Sequence, residues 1–290
     1  MPDSTAPQVA VIGAGLMGAG IAQALICADI PVTVFDADPQ ALQRGVARIQ
    51  LGVARSVKSG RVPSEEAALA RLSLEVSLEA ATGQADVVIE AVPESLELKQ
   101  EVFAALSAAV KDGTVLATNT SELSVTAIAG ATSCPEQVIG MHWFNPAPVM
   151  KLVEVIRGVD TCQKAVDAVV ALARRAGKHT VVCEKDTQGF ITTRALVAYW
   201  METIRILEEG VASAKDIDTA MKLSSNYPMG PFELADYVGL DTLLSSADGL
   251  VEAFGDRFRP PQALVKLVAA GHLGRKTGRG FFDYPVDASS

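Results

Sequence analysis

Three histidines and four cysteines are all that this 290-residue sequence holds of the two commonest metal-binding side chains. Cys27, Cys134, Cys162 and Cys183 are scattered without a CxxC pair, so neither a zinc site nor a disulfide framework is suggested. The expectation is no metal and reduced thiols in a cytoplasmic setting. Positive charge is also short: 25 Lys and Arg stand against 34 Asp and Glu, for a formal net charge of −9. General affinity for nucleic acid or an acidic membrane surface needs a basic footprint, and that balance excludes one. An anionic ligand must therefore meet a local basic patch. No uncharged apolar run is long enough to span a bilayer, and Met1-Pro2-Asp3-Ser4-Thr5 lacks the basic start of a secretory signal.

What is present is the composition of a folded globular protein, 49% hydrophobic and 20% charged. The length favours two domains, each burying its own core. Through the first two thirds, short β-branched runs alternate with longer amphipathic stretches, the pattern of βαβ units in a mostly parallel sheet. Strands are predicted near Val9–Ile12, Val32–Phe35, Ser73–Val76, Val87–Ala91, Val115–Thr118, Val138–Met141, Leu152–Ile156 and Val181–Cys183. After Asp186 the character changes. From Phe190 onward apolar residues keep helical spacing, and Ser213-Ala214-Lys215-Asp216 has the form of a helix cap ahead of Ile217–Leu223. The boundary is expected near residue 187, giving an α/β domain over 1–187 and an all-α domain over 188–290.

Val9–Ile12 runs directly into Gly13-Ala14-Gly15-Leu16-Met17-Gly18, a full GxGxxG opening a helical stretch. The first glycine suits a tight turn, the second lets a pyrophosphate approach the backbone, and the third lets the helix pack closely. The alternative is a glycine-rich turn with no ligand. Asp36 ends the second strand at close to the spacing, about 20 residues, at which an acid accepts the ribose hydroxyls of a dinucleotide. Its carboxylate would repel a 2′-phosphate, and neither Ala37 nor Asp38 supplies the arginine that would welcome one, so NAD is expected rather than NADP. Asp36 as a mere turn cap is the other reading. These residues make the front domain a Rossmann-type dinucleotide-binding domain.

Between Pro39 and Pro63 there is no Asp or Glu, while Arg44, Arg48, Arg55, Lys58 and Arg61 all occur. At about 100° per residue, Arg44, Arg48, Arg55 and Lys58 share one narrow face, opposite Leu42, Val46, Ile49, Val53 and Val57. That outward row of cations suits a second, phosphate-bearing ligand, or is simply a solvated helix face.

The histidines limit the candidates for a base that deprotonates a hydroxyl. His179 and His272 read as surface residues. His142 opens His142-Trp143-Phe144-Asn145-Pro146 after the sixth predicted strand, at the strand end where ligands of open α/β sheets collect. A histidine beside two aromatics is also a common structural residue.

Several words, in order, resemble the 3-hydroxyacyl-CoA dehydrogenase family over nearly the whole length. They are Val-Ile-Gly-Ala-Gly-Leu-Met-Gly-Ala-Gly-Ile-Ala from Val11, Val-Ile-Glu-Ala-Val-Pro-Glu from Val88, and Thr-Asn-Thr-Ser from Thr118. There follow Gly-Met-His-Trp-Phe-Asn-Pro-Ala-Pro-Val-Met-Lys-Leu-Val-Glu-Val from Gly140, Tyr-Pro-Met-Gly-Pro-Phe-Glu-Leu-Ala-Asp from Tyr227, and Gly-Arg-Lys-Thr-Gly-Arg-Gly-Phe from Gly274. The resemblance implies reversible NAD-dependent oxidation of a short- or medium-chain (S)-3-hydroxyacyl-CoA, as in β-oxidation or, reversed, in four-carbon acid metabolism. It makes His142 the base, Glu154 the carboxylate that orients it, and Ser121 a hydrogen-bonding partner of the substrate oxygen. By the same resemblance Glu94, Lys99, Asn145 and Lys276 are expected around the nicotinamide half of NAD. Arg55 and Lys58 of the basic helix are expected on the CoA phosphates, and a homodimer is expected to form through the helical domain.

The sequence leaves the family pattern in one place. Where the family usually reads Asp-x-Pro-Gly-Phe-x-x-Asn-Arg, this chain has Asp186-Thr187-Gln188-Gly189-Phe190-Ile191-Thr192-Thr193-Arg194, so Thr193 stands for the substrate-binding Asn. Two other readings remain at this stage. One is a related dehydrogenase of a free hydroxy acid; the other is a non-catalytic, crystallin-like NAD-binding relative.

Overall fold

The computed structural model describes residues 6–285. The chain divides into two compact units, one ending at Thr187 and the other starting at Gln188. In the first, eight strands form one sheet: β1 Val9–Ile12, β2 Val32–Phe35, β3 Leu72–Leu74, β4 Val87–Glu90, β5 Val115–Thr118, β6 Val138–Trp143, β7 Leu152–Arg157 and β8 His179–Cys183. Their order across the sheet is β3-β2-β1-β4-β5-β6-β7-β8, and every neighbouring pair is parallel except β6 with β7. Seven helices connect them: α1 Leu16–Ile26, α2 Pro39–Lys58, α3 Glu65–Leu69, α4 Leu78–Thr82, α5 Leu96–Ala109, α6 Val125–Ala129 and α7 Gln163–Arg175.

Burial explains why the strand signals are near-continuous apolar runs rather than alternations. β1, β4 and β5 are buried at every position, as parallel strands covered on both faces must be. The chain builds outward from β1 to β3, then returns to the other side of β1 with β4. That reversal sets a topological switch point between β1 and β4, and the loops after β1, β4, β5 and β6 leave the sheet at the same edge.

Three strand boundaries differ from the sequence expectation by two residues. β3 stops at Leu74, short of Val76, which is 92% exposed. The Ser77 hydroxyl accepts the Ala80 N–H at the start of α4, so the chain must leave the sheet before that cap forms. β8 starts earlier, at His179, whose backbone N–H donates to the Lys151 carbonyl. β6 continues through His142 to Trp143, since its ladder with β7 pairs His142 with Glu154 and Trp143 with Val153.

The second unit is helical: α8 Thr192–Glu208, α9 Ala214–Ser225, α10 Pro231–Val238, α11 Leu240–Phe254 and α12 Gln262–Ala269. Its core holds Trp200, Met201, Ile204, Phe232, Leu243 and Leu250. Ser213 caps α9, its hydroxyl accepting the Asp216 N–H at 3.2 Å. Two buried acids stitch the unit together. Asp218 accepts the N–H groups of Phe232 and Glu233 at the start of α10, and Asp236 accepts those of Phe281 and Phe282 and the Tyr284 hydroxyl. Burial pushes both carboxyls above the ordinary value, although these donors oppose the shift. Among the described residues, no helix is long and apolar enough to cross a membrane.

Candidate active site

The three glycines of the turn after β1 have three different reasons to lack a side chain. Gly13 has φ +96°, and a Cβ there would lie 2.7 Å from the Ala91 carbonyl oxygen beyond β4. At Gly18 a Cβ would lie 1.8 Å from the Gly13 carbonyl oxygen, so α1 reaches its position against the turn only without one. At Gly15 a Cβ would meet nothing within 4 Å. The protein has no packing reason for that glycine, and its bare backbone opens a cradle at the N-terminus of α1, whose first turn carries no acid. A diphosphate fits both the cradle and the helix dipole. Ala14, Leu16 and Met17 complete the turn, with Ala14 buried and Leu16 exposed.

Asp36 follows β2 and accepts the Ala14 N–H at 2.7 Å and the Asp38 N–H at 2.9 Å. It therefore closes its own turn and also ties that turn to the glycine-rich one. Capping of α2 falls to Asp38, which accepts the Gln40 N–H. Helix α2 crosses close to the turn, since a Cβ on Gly45 would lie 2.5 Å from the Ala14 carbonyl oxygen. Ile49 and Val53 are buried while Arg44, Arg48, Arg55 and Lys58 are exposed. Arg44 pairs with Asp38 at 3.4 Å; among the described residues Arg48, Arg55 and Lys58 have no ion-pair partner.

His142 and Glu154 are directly opposed across the antiparallel β6–β7 pair, so their side chains share one face. His142 Nδ1 lies 2.8 Å from Glu154 Oε2, with Glu154 fully buried and the imidazole nearly so. Phe144 packs beside the ring at a centroid distance of 4.4 Å. A buried carboxylate on Nδ1 fixes the tautomer and the ring orientation.

The loops after β4 and β5 carry a second charged group. Lys99 on α5 is buried, with Nζ 2.6 Å from Glu90 Oε1 at the end of β4 and 3.4 Å from Glu94 Oε2. Glu94 is 35% exposed, and its other oxygen accepts the Thr120 hydroxyl and, at 2.9 Å, the Ser121 N–H. Ser121 is exposed in that turn.

The remaining residues singled out in the sequence are spread more widely. Asn145 is exposed in the loop between β6 and β7. Thr193 is half-buried in the first turn of α8, in the second unit. Lys276 belongs to the second unit too, its Nζ 2.6 Å from Asp241 Oδ2. Burial opposes ionisation of Asp241, but the hydrogen bond and charge of Lys276 outweigh it and hold the carboxyl below its ordinary value. Two buried charges escaped the sequence reading. Glu90 resembled any acid at a strand end. Lys178, before β8, donates to the carbonyls of Ala147 and Met150 at 2.6 and 2.7 Å and so holds the loop that carries Asn145, and burial pushes its ammonium below the ordinary lysine value.

Comparison with known proteins identifies the family. The family model described as the NAD binding domain of 3-hydroxyacyl-CoA dehydrogenase matches residues 8–187, and that of the C-terminal domain of the same family matches residues 189–284. A probable 3-hydroxybutyryl-CoA dehydrogenase of Bacillus subtilis is 45% identical over 285 residues, covering 97% of this chain and 99% of the relative. The human mitochondrial hydroxyacyl-coenzyme A dehydrogenase is 43% identical over 286 residues, covering 95% of this chain and 90% of the relative. The crystal structure of (S)-3-hydroxybutyryl-CoA dehydrogenase from Ralstonia eutropha superposes with a TM-score of 0.92 at 40% identity, covering 97% of this chain and 99% of that one. The chain belongs to the 3-hydroxyacyl-CoA dehydrogenase family, NAD-dependent oxidoreductases that act on the hydroxyl of a 3-hydroxyacyl thioester.

Proposed function

We propose that the protein oxidises short-chain (S)-3-hydroxyacyl-CoA thioesters such as 3-hydroxybutyryl-CoA to the 3-oxo compounds, reversibly, with His142 as general base. The observation that carries this reading is the buried His142–Glu154 pair, 2.8 Å apart, at the sheet edge that also carries the dinucleotide turn. NAD, when bound, supplies the hydride acceptor. Gly13 to Gly18 would cradle its diphosphate and Asp36 its adenosine ribose, with Glu94, Lys99 and Asn145 towards the nicotinamide half. With Nδ1 held by Glu154, His142 takes the C3 hydroxyl proton on Nε2, and the carboxylate stabilises the resulting imidazolium. In the reverse direction the same nitrogen returns the proton to the ketone oxygen. Ser121 would hydrogen-bond the reacting oxygen.

The test is NADH oxidation with acetoacetyl-CoA set against free acetoacetate. Turnover of the thioester alone is the expected result, and preference for the free acid overturns the CoA reading. The exposed, unpaired cations of α2 enter the same experiment. Replacing Arg55 and Lys58 together by Ala is expected to raise KM for acetoacetyl-CoA about three- to tenfold at low salt, with a smaller effect at high salt and KM for NADH unchanged. An unchanged acyl-CoA KM would make the stripe a solvated face.

Thr193 supplies a second, smaller test. It offers one hydroxyl where the family pattern has an amide, and one neutral hydrogen bond is worth about 0.5–1.5 kcal/mol. Thr193→Asn is therefore expected to raise kcat/KM for acetoacetyl-CoA by up to about tenfold. A decrease would mean that Thr193 is matched to a different acyl group. We further read the protein as a cytoplasmic homodimer pairing through its helical unit. The bacterial relative and the resemblance support this reading, and sedimentation equilibrium tests the oligomeric state.

A further inference from the structure

Helix α7 ends at a left-handed residue, Gly177 with φ +72°, where a Cβ would meet nothing within 4 Å, so the backbone and not packing calls for glycine. The Gly177 N–H donates to the Arg174 carbonyl and the Lys178 N–H to the Ala173 carbonyl. This pair of bonds closes the helix and turns the chain back towards the sheet. Lys178 is thereby fixed one residue before β8, with its side chain buried rather than in water.

Its ammonium meets two carbonyls of one loop, Ala147 at 2.6 Å and Met150 at 2.7 Å, and lies 5.7 Å from the centre of the Trp143 ring. Among the described residues no carboxylate pairs with it, and burial alone pushes it below the ordinary lysine value. A buried charge without a counter-ion is costly, so a lysine is a poor means of filling this space. What it does, and an apolar side chain does not, is bind two carbonyls of the same turn.

That loop joins the strand of His142 to the strand of Glu154. Its own turn is closed by the Pro146 carbonyl, which accepts the N–H groups of Val149 and Met150 at 2.9 and 3.0 Å. On its other side it rests on α1: Ala147 is buried, and a Cβ on Gly20 would lie 3.4 Å from the Ala147 Cβ and 3.6 Å from Pro148 Cδ. The loop is therefore held between Lys178 and the helix that opens at the glycine-rich turn. Its first residues are Phe144, packed beside the His142 ring, and Asn145.

We propose that Lys178 is a positioning residue for hydride transfer: by binding the carbonyls of Ala147 and Met150 it keeps the 144–150 loop on α1 and so sets Asn145 towards the nicotinamide half of NAD. The step from the loop to catalysis rests on the reading of Asn145 as a contact to that half; the hold on the loop rests on the two hydrogen bonds alone.

Lys178→Met keeps most of the volume and removes the donors. In the protein without cofactor, amide hydrogen exchange across residues 147–151 is expected to quicken at least about tenfold, with exchange in β1 unchanged. Tm is expected to fall by roughly 3–8 °C. Well below that temperature, kcat for acetoacetyl-CoA should fall about tenfold, while its KM and the NADH dissociation constant stay within about threefold of the parent. The turn at Gly13–Gly18 and Asp36 is untouched by the change. In an Asn145→Ala background the same substitution should lower kcat by less than about twofold, since the side chain it positions is already gone. Lys178→Gln, which keeps two N–H donors on a side chain one atom shorter, carries the same cycle if the methionine variant does not fold.

Unchanged exchange at 147–151 overturns the proposal. So does an equal loss of kcat in the two backgrounds, which would mean that Lys178 reaches turnover by a route other than Asn145. Parental kcat in Lys178→Met beside an impaired Asn145→Ala overturns it as well. Parental turnover in Asn145→Ala is a different failure: it removes Asn145 from the cofactor site, and the catalytic step of the proposal falls with that reading even if exchange in the loop quickens.

Discussion

Replacing His142 by Gln is expected to lower kcat about 10²-fold or more in both directions while the NADH dissociation constant changes little. Gln matches the length of the imidazole and can donate its amide N–H to Glu154, so the buried carboxylate keeps a partner and the fold survives. What it cannot do is accept the hydroxyl proton. A general base contributes about 10²- to 10⁴-fold, and the lower end applies here because the dinucleotide turn and the Ser121 turn remain in place. Steady-state rates with acetoacetyl-CoA and with 3-hydroxybutyryl-CoA, alongside an NADH fluorescence titration, separate loss of chemistry from loss of binding. Turnover equal to the parent would take His142 out of the mechanism and leave the buried pair as a structural feature.

That pair also marks where sequence reasoning reaches its limit. The β-branched runs, the glycine spacing and the acid at the end of β2 were legible because each depends on local geometry: a fully buried strand, a tight turn, a strand end. The stripe on α2 was legible for the same reason, since a 100° period is set by the helix itself. The place of His142 inside β6 was not. It depends on the register with β7, and nothing in the residues between Phe144 and Lys151 states how many of them the turn consumes. Glu154 was identified only through resemblance, and the ladder supplies its physical reason.

Buried charges were the other blind spot. Glu90 and Lys178 are side chains that statistics place at the surface, and their partners are distant in sequence or are backbone carbonyls. Some of the words that carry the resemblance hold the fold. Asp236, at the end of the word from Tyr227, accepts three hydrogen bonds from residues 281–284, and a Cβ on Gly274 would lie 2.2 Å from the Asp236 carbonyl oxygen.

The glycine-rich turn allows binding and stability to be pulled apart with two single substitutions. Gly15 has φ −64°, which any residue adopts, and its Cβ would meet no protein atom within 4 Å. Gly15→Ala is therefore expected to leave Tm unchanged or slightly raised, since Gly to Ala at a compatible site stabilises by about 0.4–1 kcal/mol. The added methyl stands in the cradle and displaces a diphosphate from the backbone N–H groups. Hydrogen bonds to a charged group are worth about 1.5–3 kcal/mol each, so losing one weakens NADH binding roughly 10- to 100-fold. Gly18→Ala acts in the opposite sense. Its Cβ would lie 1.8 Å from the Gly13 oxygen and 2.9 Å from the Gly13 carbonyl carbon, both backbone, so no side chain can turn away to make room. Helix α1 must shift from the turn, at a cost of about 1–3 kcal/mol or more, and Tm is expected to fall by roughly 5–10 °C. Scanning calorimetry and an NADH titration on both variants read the contrast directly. A Gly15→Ala protein that binds NADH as tightly as the parent would show that the diphosphate does not lie over this turn, whatever the spacing of the glycines.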